Sequence, residues 1–433
     1  MDKFRLFAVV LAVASLSMSL SAQTLLDKTL RIDYTFSGTD KYQDIALDEI
    51  SCFDTWAGRR HNLDSLPLRG NGQISMRSAT DGHLIYINSF STLFQEWLTT
   101  EEATRVKRSF EATFLLPMPS EQVEIKVELF GFKGETIASF THEVDPKDIL
   151  IRHKPVCKAP CFKLLENGTP QECIDVAIVA EGYTAAEQDV FLEDARTAME
   201  EILSYEPFKT YRNRFNFIAV ALESNESGVS VPYEGIWKDT ALGSHFSTFY
   251  SDRYLTTLRL RKVNDCLSGL PYEHIIILAN TDTYGGGGIY GCYTLTTAHH
   301  PQFKPVVVHE FGHSFAGLAD EYYYDDQYVD YYYPDAEPWE QNITTMVDFH
   351  SKWEHLLPEG TSVPTAQMDK GELWKRIASG EDAGKYVGVY EGGGYQSKGV
   401  WRPFPDCRMH TNLAPIFCPV CQDAIRRYIE FNL

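Results

Sequence analysis

The chain has 433 residues and 44% hydrophobic content, enough for two or three globular domains with sizeable cores. Its net charge of -21, from 39 basic and 60 acidic residues, opposes binding to nucleic acid or to an anionic membrane surface. After the N-terminal leader no stretch reaches the roughly 18 consecutive apolar residues of a transmembrane helix, which excludes a membrane anchor in the mature form.

Residues 1–22 carry Lys3 and Arg5, then the apolar run Leu6 to Leu16, then small residues ending at Ser21 and Ala22. This is the pattern of a secretory signal peptide and predicts export to the periplasm or the outside. All 9 cysteines lie beyond it, so an exported chain could form as many as four disulfides and leave one thiol.

Residues 23–150 alternate short apolar runs with turns. Leu30 to Phe36, His83 to Ile87, Phe110 to Leu116, Val123 to Leu129 and Thr136 to His142 read as strands of an all-β sandwich. The segment holds no concentrated set of ligands or nucleophiles, and its expected role is scaffold or substrate docking, with Trp56 and Trp97 in the core. Proline-rich punctuation marks 151–172 as a linker, within which Cys157 and Cys161 read as a disulfide rather than a zinc pair.

From Cys173 to the C-terminus at 433 the pattern becomes α/β, so the whole chain is predicted to be α+β and multidomain. Ile174 to Ala180, Phe215 to Leu222 and His274 to Ala279 suit buried strands. Thr184 and Glu187 form a capping-box sequence that opens a helix to about Leu203, with Val190, Ala195, Ala198 and Ile202 on one side. The glycine run Gly285 to Gly288 lacks a following Gly-Lys-Ser/Thr and is not read as a phosphate cradle. It reads either as a loop feeding an edge strand, Ile289 to Thr296, of the kind that pairs with an extended peptide, or equally as a plain hairpin turn. His299 and His300 have no helical spacing to the next histidines and are not read as ligands.

The helix that follows carries the chemistry: Val308-His309-Glu310-Phe311-Gly312-His313, then Gly317, Asp320 and Glu321. Histidines four apart on a helix present two imidazoles to one zinc ion, with Glu310 beside them as a general base. A zinc hydrolase needs a third protein ligand and an open position for water. Gly317 can end the helix in a left-handed turn and bring Asp320 or Glu321 back to the metal. The tyrosines of 322–333 suit a substrate wall or an oxyanion donor, though loop packing is expected for most. Asp325, Asp326 and Asp330 lack the spacing of a calcium loop. Cys407, Cys418 and Cys421 offer three thiolates but no evident fourth ligand, and a disulfide from Cys407 to one of the other two is expected.

The series His309-Glu310, His313, Gly317, Asp320-Glu321-Tyr322, with Cys407-x-Met409 and Phe417-Cys418-Pro419-x-Cys421, resembles the M64 family of secreted bacterial zinc peptidases, the IgA peptidases. The resemblance covers most of the chain and implies a β-rich N-terminal domain followed by a metzincin-like zinc-peptidase domain. It implies a methionine turn under the zinc, at Met409. In the common metzincin pattern the glycine comes three residues after the second histidine and the third ligand three after the glycine. Here Gly317 comes four after His313, but Asp320 keeps the register from the glycine, which favours Asp320 over Glu321 as third ligand. The expected activity is zinc-dependent hydrolysis of protein or peptide substrates. The alternative is a secreted binding protein whose zinc site is structural or inactive.

Overall fold

The computed structural model describes residues 25–325 and 331–433. The expected signal peptide, and Asp326 and Asp330 of the acidic tyrosine run, lie outside the described residues. Among the described residues, no helix is long and apolar enough to cross a membrane.

Strands β1 (Leu25–Gly38), β2 (Gln43–Phe53), β3 (Gly72–Ser78) and β4 (Leu84–Phe90) precede a short helix, α1 (Leu93–Trp97). Then come β5 (Arg108–Pro119), β6 (Val123–Phe130), β7 (Thr136–Val144) and β8 (Arg152–His153). They form two four-stranded sheets, ordered β5-β1-β2-β8 and β4-β3-β6-β7. β6 illustrates the rule: Val123, Ile125, Val127 and Leu129 are buried, and the charged residues between them face away. The sheets meet through aromatic side chains, with Phe90 of β4 4.4 Å from Phe114 of β5 between ring centroids. Trp56 and Trp97 are both core residues. Three of these strands, β2, β3 and the two-residue β8, have no counterpart in the sequence reading. β2 hides its alternation behind Asp44, Asp48 and Glu49, and β3 carries Gly72, Ser75 and Arg77 among its apolar residues.

The C-terminal part begins with β9 (Cys161–Leu165), β10 (Ile174–Glu181), α2 (Gln188–Ile202), β11 (Phe215–Val220) and α3 (Leu260–Asp265). It continues with β12 (His274–Ala279), β13 (Gly286–Ile289), β14 (Tyr293–Thr297) and α4 (Phe303–Ala316). The six-stranded sheet runs β13-β14-β12-β10-β11-β9, parallel inside, with β13 and β9 antiparallel on its edges. Buried on both faces, β10 is almost wholly apolar. The capping box at Thr184 and Glu187 is formed. Val190, expected on the inner side of α2, is exposed instead, because the buried stripe runs Phe191, Ala195, Ala198, Ile202 at spacings of three and four.

After α4 come β15 (Tyr323–Tyr324), α5 (Lys370–Ala378), β16 (Tyr390–Gly393), β17 (Tyr395–Arg402) and α6 (Pro419–Asn432), the strands forming a small sheet β15-β17-β16. Within 151–172, β8 pairs with β2 and β9 with β11, so this segment joins both parts. Arg31 of β1 also ties them together: its guanidinium, fully buried, lies 2.6 Å from Asp265 and 3.0 Å from Asp33.

Candidate metal centre

Helix α4 packs on β13 and β14, and glycines allow it to come close. A Cβ on Gly288 would lie 2.2 Å from the Glu310 carbonyl oxygen and 2.8 Å from the His313 Cβ, and one on Gly286 would lie 3.0 Å from a Glu310 carboxylate oxygen. The glycine run is therefore itself the edge strand, rather than a loop ahead of one, and the expected strand Ile289 to Thr296 is a hairpin, β13 to β14, turning at 290–292. An isolated bridge between Tyr254 and Gly286 covers one end of its free edge.

Gly317 ends α4 in the left-handed region, at φ 58 and ψ 35. Its N–H donates to the His313 carbonyl at 2.9 Å and that of Leu318 to the Gly312 carbonyl at 3.3 Å. The reversal brings the Leu318 carbonyl to His313, whose Nδ1–H donates to it at 2.5 Å. His309 Nδ1–H donates to the Arg408 carbonyl at 2.9 Å. A carbonyl only accepts, so both rings carry their proton on Nδ1 and turn Nε2 lone pairs inward.

Those two Nε2 atoms are 3.0 Å apart, and Asp320 Oδ1 lies 3.0 Å from one and 3.3 Å from the other. With both imidazoles neutral, as metal ligands must be, three lone-pair atoms converge with no hydrogen between them, and Oδ1 is buried without a hydrogen-bond donor. Ligands at 2.0–2.1 Å around a tetrahedral zinc stand about 3.3 Å from each other, so the three atoms fit such an ion. Asp320 Oδ2 is held by the Tyr395 hydroxyl, which donates to it. Burial would raise the Asp320 carboxyl, but the two imidazoles outweigh it and hold it far below the usual carboxylate range. Burial would lower His313, yet Asp320 and Glu310 push it up to about 9. Glu310 is raised chiefly by burial, the direction that suits a base needing a proton affinity nearer neutrality.

Glu321 does not join this group. Its N–H donates to the Met409 carbonyl at 2.8 Å, while its side chain turns away to Asn342 and Cys421. Met409 is fully buried under α4, where a Cβ on Gly312 would lie 2.9 Å from its sulfur. His299 pairs with Asp194 at 2.8 Å and His300 meets Tyr284 edge to face, so neither joins the cluster. Asp325 is exposed. All 9 cysteines are free thiols, which corrects the expected disulfides; Cys407 and Cys421 have sulfurs 3.8 Å apart, against about 2.05 Å in a bond.

The centre opens on a cleft of about 980 Å³ lined by both parts of the chain. Tyr322, Tyr324, Tyr331 and Tyr332 are on its wall, joined by Tyr395. The β-rich part contributes Glu96, from α1, whose carboxylate accepts from the Tyr254 hydroxyl and is pushed up to about 7 by burial. Neither Glu96 nor Tyr395 carries a local sequence signal, since each reaches the cleft through long-range packing.

A deep cleft with a half-buried glutamate beside converging histidine and aspartate atoms belongs to the hydrolytic enzymes, and the comparison of families agrees: the chain is a peptidase. It belongs to the IgA Peptidase M64 family, whose profile matches residues 162–378 and 372–429, and the profile of the Peptidase M64 N-terminus matches residues 22–141. No curated protein matches the chain.

Proposed function

We propose that this protein is a secreted zinc-dependent endopeptidase, with a β-sandwich N-terminal domain at 23–150, a linker at 151–172 and a metzincin-like catalytic domain at 173–433. The observation that carries it is the convergence of His309 Nε2, His313 Nε2 and Asp320 Oδ1, with Glu310 on the same helix facing the cleft. These three residues would hold the zinc, which when bound polarises the scissile carbonyl and lowers the pKa of a water to about 7. Glu310 takes the proton of the attacking water and delivers it to the leaving amine, a role its burial-raised carboxyl suits. Tyr395 fixes the Asp320 carboxylate, and the carbonyls of Arg408 and Leu318 fix the imidazole tautomers. Met409 supports the helix from below as the methionine turn. An extended substrate would lie along Gly287 to Ile289, which line the cleft beyond the Tyr254 bridge, against the tyrosine wall. The leader at 1–22 supports export. Incubating the full chain with a peptide library, with and without chelator and then with zinc restored, tests the proposal. Cleavage that disappears with chelator and returns with zinc is expected; a chain that binds but never cleaves would identify a binding protein instead.

A further inference from the structure

Directly under the proposed catalytic centre, Glu321, Cys407, Cys418 and Cys421 converge from three separate segments. All four side chains are buried, and their ligand atoms lie within 4.8 Å of one another. Cys407 precedes the methionine turn, Cys418 caps the N-terminus of α6, and Cys421 stands one turn along it. The Cys407 and Cys421 sulfurs are 3.8 Å apart. That is too far for a disulfide and matches the roughly 3.8 Å between two sulfurs bound at about 2.3 Å to a tetrahedral zinc. Cys421 Sγ lies 3.1 Å from Glu321 Oε1.

Backbone N–H groups point at two of the sulfurs. The Cys418 N–H points at Cys407 Sγ at 3.1 Å, and the Cys421 N–H at Cys418 Sγ at 3.5 Å. The helix N-terminus adds its own preference for negative charge. Glu321, with no exposed surface, keeps Oε2 without any partner. Asn342 donates to Oε1 at 3.0 Å and aims the carboxylate. The buried Arg402 attracts Glu321 through space, but its hydrogen bonds go to the carbonyls of Glu391 and Gly392 and to Gln367, none to the cluster. A carboxylate and three thiols buried together away from the surface call for a cation.

We propose that Glu321, Cys407, Cys418 and Cys421 form a second, closed zinc site of structural purpose. Sulfur-rich tetrahedral donor sets select zinc, and four protein ligands leave no place for a substrate water. Binding releases thiol protons to solvent and changes no oxidation state. The site clamps the chain just past Asp320 to the methionine loop and to α6, so it fixes the far end of the segment that carries the third catalytic ligand.

The test uses the full chain purified under reducing conditions with zinc present. Elemental analysis should find two zinc ions per wild-type chain and one in a His309→Ala/His313→Ala variant. That remaining ion should be released by a thiol-specific mercurial. Cobalt loaded into the same variant should show a thiolate-to-cobalt charge-transfer band, lost on adding Cys407→Ser. The variant lacks the catalytic histidines and activity is not read, so the result is independent of the peptidase assignment. No metal in the histidine variant, iron or copper in place of zinc, or a disulfide joining Cys407 to Cys418 or Cys421 in peptide maps of the wild type would overturn the proposal. The peptide maps decide even if Cys407→Ser fails to fold.

Discussion

Replacing Tyr395 with phenylalanine removes one hydroxyl and little else. Tyr395 sits at φ 66, in the left-handed region, and phenylalanine has the same Cβ, so the backbone strain is unchanged. The lost interaction is the donation to Asp320 Oδ2, made to a carboxylate 6% exposed whose other oxygen faces the two imidazoles. A hydrogen bond to a charged group contributes about 1.5–3 kcal/mol. Since about 1.4 kcal/mol is tenfold in an equilibrium constant, zinc at the histidine site should be held about 10-fold to 100-fold more weakly. Titrating chelator-stripped Tyr395→Phe with zinc against a chromophoric competitor measures this, and the thiolate-bound ion, if present, is distinguished by its resistance to stripping. Affinity within about twofold of wild type would show that the phenol does not anchor the ligand, and would refute the reasoning.

Gly288→Ala should lower stability by about 1–3 kcal/mol and depress peptide cleavage, because its Cβ would meet the Glu310 backbone at 2.2 Å. A thermal melt and a cleavage assay equal to wild type would contradict the close approach of β13 to α4. His274 is buried against Phe315, with its pKa held down to about 3 by burial, against about 6.5 when unfolded. A depressed folded value leaves its contribution to stability intact above pH about 6.5. It is lost as pH falls toward 3, at up to about 1.4 kcal/mol per pH unit. His274→Phe should flatten the acid side of the stability profile by one proton in urea melts; an unchanged slope would refute this.

Local signals were legible where chemistry follows chain order. The capping box at Thr184, the buried strand β10 and the left-handed Gly317 all depend on neighbours within a few residues. The fourth partner of the cysteine cluster was not visible, because Glu321 lies 100 residues before Cys421 and its neighbour Asp320 drew the same chemical reading. Only the turn after Gly317 sends the two adjacent carboxylates to opposite sides. Glu96 comes from the β-rich part, where no ligand-bearing motif called attention to it. The glycine run was misassigned because glycine usually weakens a strand; here close packing on Glu310 and His313 requires it.

The central claim is that Glu310 moves the proton while His309, His313 and Asp320 hold the metal. Glu310→Gln keeps the shape of the side chain and removes its basicity, so the most direct measurement pairs zinc content with peptide turnover in that variant. Wild-type zinc at the histidine site, with cleavage reduced by at least about 100-fold, is the expected result. A fully zinc-loaded variant cleaving at the wild-type rate would contradict it.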